Sequence, residues 1–134
     1  MGSARFRIEN RDGEWTVKTV WENQNLKSKF SSAVLHRDHI YGLDQGIMVC
    51  LDAKTGRRKW KGGRYAHGQF IQAGDFFIVQ SERGYLAQVL VSSDHFEETA
   101  KVQALDHRTW THPAIANGVL LIRTDRQMAA FRID

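Results

Sequence analysis

The sequence predicts an all-β protein, and three observations carry that expectation. Three segments, 35–43, 71–79 and 115–123, align on one another. Each is an apolar strand end, a turn (Arg37-Asp38, Ala73-Gly74, Asn117-Gly118) and a second apolar strand. Asn-Gly is a strong tight-hairpin signal. The offsets of 36 and 44 residues average 40. Second, no segment has helical periodicity or a sensible pair of helix caps. Third, residues 50–60 read as strand, short turn and returning strand. A period near 40 built of short strands is the signature of four-stranded propeller blades. Together these predict a partial β-propeller of about three four-stranded antiparallel blades.

The elements follow in order. Segment 5–9 is a strand, Asn10-Arg11-Asp12-Gly13 a turn, and 14–22 a second strand with Trp15, Val17, Thr19 and Trp21 expected on one face. The three hairpins supply the first and second strands of successive blades. Third strands are expected at 47–51, 85–91 and 128–133, fourth strands at 58–61 and 100–105. That makes two, four, four and three strands, thirteen in all. The chain thus divides into a half blade (4–24), two full blades (30–62 and 67–106) and an incomplete blade (110–134), within one domain. Met1-Gly2-Ser3 reads as an expression scar.

Residues 50–60 organise the rest. Asp52 and Thr55 can cap the free N–H groups of a turn, and Gly56 can take a positive φ. Trp60 then returns beside the first strand. An indole is too large to bury within one thin sheet, so it must pack against a neighbouring one.

Composition bounds the function. At 134 residues, with 42% hydrophobic and 25% charged residues, this is one ordinary globular domain. No apolar run approaches the ~18 residues of a membrane span. A single cysteine, Cys50, forms no intramolecular disulfide. The net charge of +4 is mild. Arg57, Arg58, Lys59, Lys61 and Arg64 form a basic cluster, but cations alternating with Trp60 fit a solvated edge strand that discourages sheet pairing better than a nucleic-acid surface.

Chemistry, if present, is expected where first strands begin, because these line a propeller's channel. Arg64, Tyr65, His67, Gln69, Trp110 and His112 are the candidate ligand-facing residues. The plainer alternative is that they satisfy turn backbones or line a wet channel. No catalytic residue is expected. The six histidines show no metal-ligand spacing, no serine sits in a nucleophile elbow, and no glycine-rich phosphate loop occurs. No metal or cofactor is expected.

The stretch Cys50-Leu51-Asp52-Ala53-Lys54-Thr55-Gly56-Arg57-Arg58-Lys59-Trp60 resembles the tryptophan-docking motif of PQQ-like (pyrroloquinoline-quinone-type) β-propellers, Ala-x-Asp-x-x-Thr-Gly-x-x-x-Trp, with Cys50 in place of Ala. Trp21-Glu22-Asn23 through Lys29-Phe30-Ser31-Ser32, segment 63–69 and segment 109–113 are similar to the last blades of such proteins. The motif is complete only once. The resemblance covers roughly residues 4 to 134 and implies kinship with quinoprotein dehydrogenases and BamB-like outer-membrane assembly lipoproteins. It implies a non-catalytic binding or scaffold module in the periplasm or cell envelope. The alternative is a fragment of a quinoprotein oxidoreductase whose cofactor ligands lie in blades outside this chain. The adjacent-cysteine disulfide of those enzymes cannot form with one cysteine. An arc of thirteen strands that opens and ends in mid-blade exposes apolar faces, which predicts a homo-oligomer or docking onto further blades; a protein partner is the other possibility.

Overall fold

The computed structural model describes residues 2–133, and every regular element among them is a strand. The thirteen are β1 (Ser3–Arg11), β2 (Glu14–Asn23), β3 (Val34–His36), β4 (His39–Asp44), β5 (Ile47–Asp52), β6 (Arg58–Gly62), β7 (Gln69–Ala73), β8 (Phe76–Gln80), β9 (Tyr85–Leu90), β10 (Glu98–Gln103), β11 (Ala114–Ala116), β12 (Val119–Arg123) and β13 (Met128–Arg132). They pair in chain order into four antiparallel sheets: β1-β2, β3-β4-β5-β6, β7-β8-β9-β10 and β11-β12-β13. The expected division into two, four, four and three strands is observed. β1 already includes Ser3, whose Cα pairs with Asn23. Backbone pairing ignores side-chain identity, so the strand runs into the expected scar. Met1 lies outside the described residues. β10 begins two residues earlier than expected and β13 closes at Arg132.

Turn chemistry explains the hairpins. Asp12 and Gly13 both take positive φ (54° and 87°), as do Asn117 and Gly118 (50° and 73°). Two such residues give the twist that joins neighbouring antiparallel strands.

The sheets are stacked in sequence, and alternation along each strand assigns its two faces. Tyr41, Leu43, Met48, Cys50 and Trp60 on one side of the second sheet form a single core with Phe70, Phe77, Val79, Ala87 and Val89 of the third. On its other side Val49 and Leu51 pack with Leu26 and Ile40. The third sheet turns Ile78 and Leu86 towards Leu120 and Ile122 of the fourth. The second and third sheets therefore each have a face towards a predecessor and a face towards a successor. Cys50 is fully buried in the first of these cores, and burial pushes its thiol up to about 11.

A register shift recurs at one place in three sheets. Arg5 opposes Trp21 but Phe6 opposes Thr19; Cys50 opposes Trp60 but Leu51 opposes Arg58; Gln88 opposes Ala100 but Val89 opposes Glu98. Each is a bulge holding one extra residue: Val20, Lys59 and Thr99. A bulge re-aims the side chains beyond it. Trp21 consequently leaves the face of Trp15, Val17 and Thr19 and points towards the second sheet. The expectation that all four share a face is thereby corrected.

The bulge makes Trp21, Trp60 and Ala100 structural equivalents. The Trp21 indole N–H donates to Ala53 O at 3.1 Å, and that of Trp60 donates to Ser92 O at 2.9 Å. In both, the acceptor lies 32 residues further on, in the next sheet's unit. Ala100 has no indole to offer. At that joint a cleft of about 230 Å³ is left, lined in part by Ile78, Leu86, Ala100, Val102, Leu120 and Ile133.

Segment 50–60 thus docks in both directions. Asp52 Oδ1 accepts from Lys54 N, Thr55 N and Thr55 Oγ1, and Gly56 sits at φ 70°. A Cβ on Gly56 would stand 2.7 Å from the Trp21 ring, so this position needs glycine for space as well as for φ. The turn receives Trp21 from behind, while Trp60 reaches ahead.

Candidate functional site

The segments leading into β3, β7 and β11 converge on Gln69. This first residue of β7 is buried, and its Nε2 donates to Phe30 O at 2.9 Å and to Trp110 O at 3.3 Å. One side-chain amide thereby fixes the lead-ins of three consecutive sheets. Its cross-strand partner Gln80 reaches forward to the fourth sheet's unit alone. Gln80 Nε2 donates to Thr109 Oγ1 at 2.6 Å and to Arg123 O at 2.9 Å. Both Nε2 groups are paired in this way, while the Oε1 atoms of Gln69 and Gln80 are buried without a protein partner among the described residues.

Around this clamp lies an aromatic patch. The Phe30 ring meets His67 edge-on at 5.5 Å and Trp110 at 6.0 Å. Phe30 is 63% exposed and Trp110 49% exposed, so both rings present area to solvent. Glu82 holds the patch from below. Its carboxylate accepts the Trp110 indole N–H at 2.7 Å and the His67 backbone N–H at 3.2 Å. Burial works to raise the Glu82 carboxyl, but these two hydrogen bonds and the charges of His67 and Arg108 hold it below the ordinary carboxylate range. The Arg108 guanidinium stands 4.7 Å from the Trp110 ring. Such an arrangement offers stacking and cation–π surface with an anion fixed beneath.

The six expected residues therefore divide. His67, Gln69 and Trp110 come together. Tyr65 lies apart from them: it is fully buried, its hydroxyl donates to Glu98 Oε2 at 2.7 Å, and it borders the cavity that Arg64 lines. Burial, then the Glu98 carboxylate, raise its phenol well above the ordinary range. Its ring belongs to the core between the second and third sheets. Arg64 lines a separate cavity of about 400 Å³ with Arg83, Tyr85 and Lys101. There the Tyr85 hydroxyl donates to Arg64 O, and Lys101 Nζ stands 3.9 Å over the Tyr85 ring. His112 is exposed and makes none of these contacts. Phe30, Glu82 and Arg108 are additions. Phe30 sits among the polar residues Lys29, Ser31 and Ser32, and nothing local marks Glu82 as a partner of an indole 28 residues away. Among the described residues, no three His, Cys, Asp or Glu side chains gather to hold a metal.

No protein-family model matches the chain, and no curated protein matches it. In fold it is similar to the crystal structure of the computationally designed Ika8 protein, with a TM-score of 0.66 and 10% sequence identity. The match covers 91% of this chain and 41% of the designed one, so the chain spans about two-fifths of that protein's length. The likeness is one of fold alone.

Proposed function

We propose that this chain is a non-catalytic binding module of the β-propeller type, akin to the PQQ-like repeat proteins of the bacterial cell envelope, and that it recognises protein segments through the Phe30–His67–Trp110 patch. The propeller reading is supported by the chain-order stacking of the sheets, by a bulge recurring at spacings of 39 and 40 residues, and by the docking indole that recurs at the first of them. The observation that carries the binding role is the Gln69 clamp. A buried amide that fixes the backbones of Phe30 and Trp110 holds two exposed rings rigid, and rigid exposed aromatics are the usual anchors of recognition surfaces because little conformational entropy is lost on binding.

Peptides selected from a random phage-displayed library on the intact chain are expected to lose at least tenfold in affinity, about 1.4 kcal/mol, on Trp110→Ala. Trp15→Ala, on the β1-β2 ribbon and outside the patch, should leave them unchanged. Selected peptides that bind Trp110→Ala as well as the parent would show that recognition happens elsewhere.

A further inference from the structure

The two ends of the stack each leave a face without a neighbour. On the ribbon β1-β2, cross-strand pairing puts Phe6 with Thr19, Ile8 with Val17 and Asn10 with Trp15 on the side away from the second sheet. Ile8 is 64% exposed there, and Phe6, Trp15 and Val17 are exposed with it. The opposite side carries Arg5 and Trp21, which bond Ala53 O, and a solvated ion cluster of Arg7, Arg11 and Lys18 around Glu9. In the fourth sheet, Leu120 and Ile122 face the third sheet and are buried. Val119, Leu121, Ala130 and Met128 face the other way; Leu121 is 43% exposed and the rest are exposed with it.

The stacking rule seen inside the chain says what these faces fit. Between the second and third sheets, and between the third and fourth, the successor-side face of one sheet meets the predecessor-side face of the next. The bare face of the fourth sheet is a successor side and that of the ribbon is a predecessor side, so one chain carries both halves of a joint. Charge agrees. Among the described residues, Arg123 and Arg132 stand on the fourth sheet's bare face with no acid, whereas Glu22 stands on the ribbon's bare face with no cation. The strands themselves are related: Arg5-Phe6-Arg7-Ile8 of β1 repeats in Ala130-Phe131-Arg132-Ile133, with Phe6 and Phe131 both on predecessor sides.

We infer that a second copy of this chain docks head to tail, the bare face of one fourth sheet covering the Phe6–Ile8–Val17 face of another copy's ribbon. Such a joint is heterologous: the two surfaces are different patches, and copies add in one direction until the rotation closes a ring.

Sedimentation of the whole chain across the micromolar range tests this. The parent is expected to exceed its 15.4 kDa monomer mass. Ile8→Arg and Leu121→Arg each place a charge in one half of the joint and should each sediment as folded monomers; both sites are exposed, and circular dichroism checks the fold. Mixed in equal amounts, the two variants should form a dimer, because each retains the half that the other has lost. A symmetric interface between like patches would give no such rescue. A monomeric parent, association that survives both substitutions, or a mixture that stays monomeric overturns the inference.

Discussion

Replacing Trp60 with alanine is expected to lower the stability of the chain by about 3–5 kcal/mol, the range for deleting a large buried aromatic. Trp60 is 8% exposed and packs with Tyr41 at 6.0 Å and Phe96 at 5.8 Å between ring centroids. Its indole N–H is the donor to Ser92 O. Truncation would open a cavity in the core shared by the second and third sheets and leave that carbonyl unpaired. Surrounding sheets cannot collapse into the gap, since Cys50 and Tyr41 are fixed by ladder pairing on adjacent strands. Chemical denaturation measures the loss. A change below ~1 kcal/mol would mean that the sheets are held together without the indole.

Asp44→Ala is expected to cost about 2–3 kcal/mol at pH 7, the scale of a charged hydrogen bond lost from a buried site. Asp44, 2% exposed, closes β4, accepts the Lys27 backbone N–H at 2.9 Å and pairs with the Lys61 ammonium through its other oxygen. Burial pulls its carboxyl up, but Lys61 and Lys27 prevail and hold it below the ordinary value near 3.8. A group whose folded pKa is depressed stabilises fully above its unfolded value and loses that contribution as pH falls through the folded one. The gap between parent and variant should therefore be constant from pH 7 to about 5 and narrow below about pH 4. A gap that is unchanged down to pH 3 would assign the effect to packing rather than charge.

Lys61 shows where sequence reading stopped. Its alternation with Trp60 on an edge strand describes a solvated cation, and only the pairing of β4, β5 and β6 reveals that Asp44 lies within reach of it. The hairpins and the Asp52–Gly56 turn were legible because their determinants are local: positive φ, caps and alternating apolar residues within ten positions. The bulges were not. An unpaired Val20 or Lys59 has no composition that marks it, yet it decides which sheet Trp21 or Trp60 addresses. The candidate site was legible by half. His67, Gln69 and Trp110 follow from their place before first strands, but the contact of Phe30 with Trp110 joins residues 80 positions apart, and no periodicity reports it. Tyr65 read as a ligand-facing candidate from its place ahead of β7, and only the stacking of the second and third sheets reveals the core that holds its ring.

Alanine at position 100 has a thermodynamic meaning of its own. In a linear array each unit is stabilised by itself and by its nearest neighbours, so unequal couplings set the order in which units come apart. Two couplings are closed by an indole; the third relies on Leu105, Leu120 and Ile122 and on the amide of Gln80, beside an unfilled cleft. The fourth sheet should consequently open on its own before the rest unfolds globally. In native-state hydrogen exchange, the amides of β12 are expected to share a lower opening free energy than those of β5 and β8, and Ala100→Trp should bring the two classes closer together. Exchange from all three strands at a single common free energy would show a fully cooperative array. A chain graded in this way has a soft end beside Trp110, where a partner could be admitted by loosening one unit while the two central sheets stay intact.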